Sequence, residues 1–451
     1  MLTISPPEEV ISICIRLREL GHQAWLVGGA VRDSIMGRAP HDWDIATDAI
    51  PAEVAGAFPH TVLTGVKHGT VTIVLASGNY EVTTFRLDGA YSDGRHPDAV
   101  TFAASIDEDL GRRDFTCNAI AHDPINGEWR DPYQGISDIG IHLLRAVGAP
   151  RSRFMEDGLR ILRAARFSAV LDFDIEKETL FAMSSEGEKL DGNVAAERKH
   201  DEILKIMGAA RPSRAFDVLL ERSLMHAVLL PELRDLYRCE QNRYHAYDVW
   251  KHTMLTIDAC PASDPILRVA AMLHDVGKPA VRGVNPEHGG FTFYGHEDVG
   301  AEKADVILQR LKFSTADRES ITHLVRHHII GVGCDSSKPA LRRFVRKVGQ
   351  EHLPRLLDLA RADVAAKGPV SSRDRGRIDS LAQCLADLEV DEPAIRSTAN
   401  LAINGSDVME YLGIGPGPRV GACLRRLLEI VTDNPTSNTR ETLLRRAREA
   451  I

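Results

Sequence analysis

The stretch that decides the reading of this chain runs Ala24-Trp-Leu-Val-Gly-Gly-Ala-Val-Arg-Asp33 and is followed, after a short connection, by Asp42-Trp43-Asp44-Ile45. An apolar run enters Gly28 and Gly29 and leaves through Val31-Arg32-Asp33, which reads as a strand, a tight turn and a helix start. Glycine lets backbone N–H groups approach phosphate oxygens, and a helix N-terminus adds a favourable dipole. A Gly-Gly turn alone is also ordinary turn geometry, so the second half carries the weight. If Asp42–Ile45 is a strand, alternation puts Asp42 and Asp44 on one face and Trp43 on the other. Neighbouring carboxylates repel, and such a pair calls for a cation. Mg²⁺ suits hard oxygen ligands while leaving positions for water and phosphate; the other reading is a solvated acidic turn. Glu81, in the β-type run Tyr80–Phe85, offers a third acid, its alternative being a cross-strand ion pair with an arginine. Three acids holding two ions can clamp an attacking hydroxyl and a leaving pyrophosphate during in-line displacement.

Outward from this stretch, the first 145 residues mix short β-type runs (AWLVGG, TVTIVLA, YEVTTF, AVTF) with Gly, Pro and Asp turns, an α/β pattern. From about Arg151 the apolar spacing turns helical, interrupted at ARPSRA, PASDP, NPEHGG, KGPVSS and GIGPGP. At 451 residues the chain exceeds one ordinary core. We divide it into a head (1–145), a helical neck (146–210), a helical body (211–380) and a helical tail (381–451). Aromatic residues make up only 6% of the chain, against 43% hydrophobic overall, which disfavours an all-β protein. No apolar run reaches bilayer length and no basic-then-apolar leader opens the sequence, so a cytoplasmic protein without a membrane partner is expected. Seven cysteines without a CxxC pair are expected to be reduced core thiols. A net charge of −9 means that any nucleic-acid binding must be local, and basic residues concentrate in Arg145–Arg166 and Arg419–Arg448.

Toward the end of the head, GRRDFTCNAIAHD and WRDPYQGISDI supply Arg112 and Arg113 as forks for phosphate, with Asp114, Asn118, Asp131 and Asp138 able to fix the loops. The neck segment RSRFMEDGLRILRAARF then sets Asp157, Arg160, Arg163 and Arg166 three residues apart, on one face of an expected helix. That face is either a solvated basic stripe or a base reader. Cytosine and adenine present an exocyclic amine beside an acceptor ring nitrogen, and uracil and guanine the reverse. An accepting Asp157 and a donating Arg160 therefore match C and A, with no nucleic-acid template.

These pieces resemble the class II tRNA nucleotidyltransferase and bacterial poly(A) polymerase family, through VGGAVRD with DWD, RRDFTCN, DPYQGISDI, EDGLRILRAARF, AAERKHDEI and the C-terminal LAINGSDVMEYLGIGPGPRVGACLRRLLEIV. The resemblance implies a polymerase-β-like nucleotidyltransferase head followed by an all-α neck, body and tail. It implies Mg²⁺ on Asp42 and Asp44; with Glu81 from the residue reading above, these are the expected catalytic acids. It places Gly29, Arg32 and Arg113 on the triphosphate, with Gly28 of the same turn expected beside them, Asp157 and Arg160 on the base, and Arg163 and Arg166 as further nucleotide contacts. Arg86–Val100 resembles the family's mobile loop that permits the final adenosine addition. The expected partners are tRNA, CTP and ATP, the expected product a 3′-terminal CCA, and the expected state a monomer or homodimer. The alternative within the class is addition of A alone. Gln134 stands where the family often has glycine, and Lys199 where an apolar residue is common.

The body carries a second constellation, WKHTM, LHDVGKP, YGHED, LVRHHI and ARADVAA. His252, His274, Asp275 and Asp363 form one expected ligand set, with His296 and His327, or its neighbour His328, holding a second ion. Mixed imidazole and carboxylate ligation suits Mn, Fe, Co or Ni, which can activate water for phosphoester hydrolysis. The order resembles the HD phosphohydrolase pattern. A hydrolase acting on RNA ends or nucleotides is therefore the reading from another class, and a catalytically silent RNA-binding protein a third.

Overall fold

The computed structural model describes residues 4–40, 42–65, 69–88, 100–242, 244–285, 290–369, 372–391 and 397–450. Most of the Arg86–Val100 loop, residues 89–99, lies outside the described residues. The chain divides into two compact units. The first comprises residues 1–234 with 310–312, and the second residues 235–309 with 313–451.

In the first unit, helix α1 (Glu8–Glu19) precedes a mixed sheet built from β1 (Ala24–Val27), β2 (Asp44–Thr47), β3 (Thr61–Gly65), β4 (Thr70–Leu75), β5 (Gly78–Thr84), β8 (Ala121–His122) and β9 (Trp129–Arg130). The spatial order is β3-β4-β5-β2-β1-β8-β9. Only β2 and β5 run parallel, which sets Asp44 beside Glu81. On its other side Asp44 pairs with Val27, the residue before the glycine turn. The run AVTF does form a strand, β7 (Val100–Phe102), but it pairs with β6 (Arg86–Asp88) in a separate ribbon. Helices α2 (Gly29–Ile35), α3 (Pro51–Ala57), α4 (Ile106–Gly111) and α5 (Gly135–Gly140) complete the head, whose core includes Trp25, Val27, Ala46, Phe85, Ile106 and Leu110.

The neck follows with α6 (Pro150–Glu156), α7 (Leu159–Leu171), α8 (Lys177–Ser185), α9 (Gly187–Asn193) and α10 (Ala196–Met207), and α11 (Ser213–Glu221), at the start of the expected body, belongs to the same compact unit. The expected single helix through Asp157 is broken: Asp157 caps α6 with an extended backbone (φ −142°, ψ 106°). The cause is close packing at the next residue, since a Cβ on Gly158 would sit 2.3 Å from the Lys189 carbonyl oxygen.

The second unit is helical, with α12 (Val249–Ala259), α13 (Pro265–Leu273), α14 (Lys278–Val281), α15 (His296–Arg310), α16 (Thr315–His327), α17 (Lys338–Val348), α18 (Leu353–Ala366), α19 (Ser372–Asp391), α20 (Gly405–Leu412), α21 (Pro418–Asp433) and α22 (Arg440–Ala447). Local chemistry sets these boundaries. Asp248, Asp264 and Ser314 each accept a backbone N–H as N-caps of α12, α13 and α16, and Gly413 ends α20 in the left-handed region at φ 64°. The tail has its own core of Ile403, Val408, Cys423, Leu427, Val431 and Leu443. The expectation that all cysteines are reduced is corrected. Cys334 and Cys384 form a disulfide 50 residues apart in sequence, beyond any local pattern, while the other five are buried thiols. Among the described residues no helix is long and apolar enough to cross a membrane.

Candidate nucleotide and metal sites

In the head, the glycine turn is forced by two demands at once. Gly28 has φ +75°, and a Cβ there would lie 3.2 Å from Arg113 Nη1 and 3.3 Å from Asp44 Oδ2. The turn therefore brings backbone, a cation and a carboxylate together where a side chain would separate them. Strand β2 begins at Asp44, so Asp42 precedes it and is exposed, while Trp43 is buried between them. Asp42, Asp44 and Glu81 line one cavity of about 740 Å³. Asp44 also lines a neighbouring cleft of about 450 Å³ with Gly28, Gly29, Arg32 and Arg113. Burial first, then the charges of Glu81 and Asp42, push Asp44 up to about 6 against the pull of Arg113. A half-buried carboxylate raised by its desolvation and by two other acids is a site that a divalent cation would relieve. Among the described residues Glu81 makes no ion pair, so the arginine alternative finds no support there.

The same 450 Å³ cleft is lined by Asp157, Arg160, Arg163 and Arg166. Although Asp157 is off the helix, the structure thus brings every neck residue singled out from sequence to the head's turn. A polar chain ties them: Arg32 Nη1 donates to Asn118 Oδ1 (2.7 Å), Asn118 Nδ2 to Asp114 Oδ1 (3.0 Å), and Arg163 Nη2 to Asp114 Oδ2 (2.6 Å). Burial raises the Asp114 carboxyl, but Arg163 and Asn118 outweigh it and hold the group well below the usual carboxylate range. Asp131 and Asp138 fix the loop as expected, the first accepting from the Gly135 and Ile136 amides (2.6 and 3.0 Å), the second from Thr116 Oγ1 (2.7 Å) and Arg145.

Sequence reasoning missed several partners. Phe167 is buried under three guanidiniums, those of Arg32, Arg163 and Arg166, at 5.4, 5.3 and 4.0 Å from its ring centre, so one ring spaces the cations. Glu202 holds Arg166 at 2.5 Å. Arg198 holds Asp157, and Glu156 holds Arg160 at 2.6 Å. Arg198 and Glu202 both belong to the AAERKHDEI stretch, which carried no assigned role. Seven arginines (32, 112, 113, 160, 163, 166 and 198) against three aspartates (44, 114 and 157) make the cleft strongly cationic, as a polyphosphate requires.

The body's constellation converges from five helices and their caps. His252 (α12), His274 and Asp275 (after α13), His296 (α15), His328 (after α16) and Asp363 (α18) meet at a cavity of about 510 Å³ that Asp275, His296, His328 and Asp363 line. His274, His296 and His328 each hold a backbone carbonyl oxygen 2.7 Å from Nδ1. That contact turns Nε2 of each ring toward the other members of the cluster, the arrangement of a metal ligand. Asp275 belongs to both candidate ligand groups, with His252 and His274 on one side and His296 and His328 on the other. Its Oδ2 lies 3.2 Å from His274 and its Oδ1 3.3 Å from His296. Asp363 Oδ1 is 3.0 Å from His252. Burial, reinforced by the charges of His274 and His296, lowers His328 to about 3, so its imidazole is neutral. Opposed by burial, the charges of His274 and Lys278 keep Asp275 well below the usual range. The donor set fits divalent cations.

One expected ligand is corrected. His327 is not in the cluster; its ring stacks 4.5 Å from that of His323. Successive helical residues diverge by about 100°, so only one of the His327-His328 pair can face the cavity. The two body groups each draw their ligand atoms within 4.8 Å of one another, whereas the head acids do not form so tight a set among the described residues.

Three family models match along the chain. Residues 24–145 match the family model "Poly A polymerase head domain", residues 172–236 "Probable RNA and SrmB- binding site of polymerase A" and residues 243–367 "HD domain". The chain is 45% identical over 212 residues to the CCA-adding enzyme of Lactobacillus johnsonii, covering 47% of this chain and 53% of that one, so it spans about half the length of the first curated relatives it matches. It is 33% identical over 451 residues to that of Latilactobacillus sakei, covering 99% of this chain and all of that one. A crystal structure of the Bacillus stearothermophilus CCA-adding enzyme in complex with CTP superimposes with a TM-score of 0.74 at 28% identity, over 99% of this chain and 98% of that one. With the full-length match and the shared head and HD domains in hand, the chain belongs to the CCA-adding enzyme family of nucleotidyltransferases.

Proposed function

We propose that the chain adds C, C and A, from CTP and ATP, to the 3′ end of tRNA without a nucleic-acid template. One observation carries this reading: a cationic cleft and an acid cavity share Asp44, so a nucleotide held in the first presents its α-phosphate to the second. Arg32 and Arg113, with the Gly28 and Gly29 backbone, hold the β- and γ-phosphates. Asp157 accepts from the exocyclic amine of C or A while Arg160 donates to the ring nitrogen beside it. The RNA 3′-hydroxyl attacks the α-phosphorus, the bond to the bridging oxygen breaks, and pyrophosphate leaves. Asp42, Asp44 and Glu81 are the residues that would hold Mg²⁺, which when bound neutralises the phosphates and acidifies the hydroxyl. The boundaries 1–145, 146–210, 211–380 and 381–451 remain our division into head, neck, body and tail, and we read the protein as cytoplasmic, a monomer or homodimer. Tail arginines such as Arg426 and Arg446 now pair with Glu429 and Glu449 on the surface, where tRNA phosphates would compete for them.

Incubation of the purified chain with tRNAs one, two or three nucleotides short, each triphosphate supplied singly, tests the reading. Incorporation of C on the two shorter substrates and of A only on the longest is expected. Incorporation of A alone would establish the A-adding alternative.

A second activity has its own supporting observation, the four Nε2 atoms and two carboxylates that converge in the body. We read this centre as holding Mn, Fe, Co or Ni on His252, His274, Asp275, Asp363, His296 and His328, and as a phosphohydrolase for RNA ends or nucleotides. Metal content by elemental analysis and release of phosphate from a 2′,3′-cyclic nucleotide test it; a metal-free protein that remains inert after loading overturns it.

A further inference from the structure

We infer that Arg198 is a specificity-setting residue, because it fixes the Asp157 carboxylate as a single outward acceptor and so sets discrimination against uracil and guanine. This rests on the reading of Asp157 and Arg160 as the pair that meets the base.

Asp157 stands in the break between α6 and α7, where no helical neighbours hold its side chain. Two things hold it. The Leu159 amide donates to Oδ1 (3.0 Å), and Arg198, from α10 and 41 residues away, donates through Nη1 to Oδ1 (3.3 Å) and through Nη2 to Oδ2 (2.9 Å). Both side chains line the cationic cleft and are largely buried, at 20% and 13% exposure. A carboxylate has about four acceptor positions. Three are taken, two on Oδ1 and one on Oδ2, which leaves one on Oδ2.

Arg160 is limited in the same way. Its Nη1 donates to Glu156 (2.6 Å) and to the Arg153 carbonyl (3.2 Å), and its Nη2 to the Arg112 carbonyl (2.9 Å). Of its five donor hydrogens, one on Nη2 and one on Nε remain. What the two side chains offer a base is therefore one acceptor and adjacent donors, a pattern that C and A satisfy and that U and G oppose at both positions. Arg160 is anchored at three points, but beyond the Leu159 amide on Oδ1 the Asp157 carboxylate is held by Arg198, which alone fixes Oδ2. Without that fork the carboxylate turns about its own bonds and no longer presents a fixed acceptor.

The test is the ratio of kcat/KM for CTP over UTP on tRNA two nucleotides short, and for ATP over GTP on tRNA one short. In Arg198→Met, which keeps the side-chain bulk, each ratio is expected to fall about ten- to a hundredfold, as expected when a buried mismatch is no longer enforced. In Arg198→Lys, with one contact in place of a fork, an intermediate ratio is expected. If Arg198→Met lowers CTP and UTP use alike and leaves the ratio within about twofold, Arg198 is only a structural or phosphate-binding residue and the inference fails. Should the methionine variant not fold, Arg198→Lys decides alone: a ratio reduced threefold or more supports the inference, an unchanged one overturns it. Asp157→Asn separates the two levels. A changed ratio there with an unchanged one in the Arg198 variants sinks this inference alone, and unchanged ratios in both sink the base-reading assignment too.

Discussion

The head and the body of this chain each gather acids and bases for a divalent cation, but by opposite means. In the head, Asp44 and Glu81 are neighbours because two parallel strands set them in register, and Asp42 sits two residues away. In the body, six side chains come from five helices and their caps, most of them buried to below a tenth of their surface. The head site is all-oxygen and includes an exposed Asp42; the body site is built from more deeply buried side chains and is rich in imidazole. An all-oxygen set suits an ion that arrives with its phosphates and leaves with pyrophosphate. A buried imidazole set suits one that stays.

The sharpest way to break this contrast is to remove one acid from each site. Asp44→Ala is expected to lower nucleotide incorporation at least a hundredfold to a thousandfold, the scale for loss of a principal charge-stabilising group, while tightly bound metal remains. Asp275→Asn should do the reverse, emptying the body of metal with incorporation retained. Incorporation kinetics and elemental analysis on both variants read the result. If Asp44→Ala also strips the retained metal, the two centres are not independent.

Next in size is the choice between adjacent histidines. His328→Ala is expected to weaken metal binding in the body by at least about ten- to a hundredfold, whereas His327→Ala should leave it within a few-fold of the parent protein. Titration of the metal-free protein followed by calorimetry distinguishes them. Equal losses would mean that helix α16 turns by one residue when the ion binds.

That choice also marks where the sequence stops being legible. The order of the body's histidines and aspartates is visible in the chain, but which of two consecutive histidines faces inward depends on the phase of α16 against its neighbours, a long-range property. The head was more open to reading, because Asp44 and Glu81 sit on short strands and Asp42 just before one of them, a local pattern. The neck falls between. Its i+3 spacing suggested one helix, and the break at Asp157 was signalled only by Gly158, whose missing side chain admits the backbone of α9. The partners of the cleft, Arg198, Glu202 and Phe167, lie on faces that a single sequence cannot align with the turn at Gly28. Cys334 and Cys384 meet only through packing within the second unit.

A smaller effect separates the forces within each region. The head depends on ionised pairs such as Asp114 with Arg163 (2.6 Å), and the folded Asp114 carboxyl lies below its ordinary value. A depressed carboxylate contributes stability above its unfolded value, about 3.9, and that contribution is lost as pH falls toward the folded value. Asp114→Asn should therefore be less stable than the parent by about 1–3 kcal/mol near neutrality, with the gap closing progressively below about pH 4. Urea melts at several pH values check this. A gap that stays constant into acid would assign the loss to packing instead.

The smallest effect expected is at Gln134, and it probes how the head's loop from Asp131 to Gly135 is held. Gln134 occupies the left-handed region at φ 61°, where a non-glycine residue costs about 1–2 kcal/mol. The turn persists because Asp131 accepts the next two amides, Gly135 at 2.6 Å and Ile136 at 3.0 Å. Gln134→Gly removes the steric cost but adds freedom to the unfolded chain, worth about 0.4–1 kcal/mol in the other direction. The net gain should lie between about 0 and about 1.6 kcal/mol, a small rise in Tm with unchanged incorporation. The same substitution in an Asp131→Ala background should help more, since glycine then takes over what the carboxylate did. If the two changes simply add, the loop is held by its surroundings and not by its own hydrogen bonds.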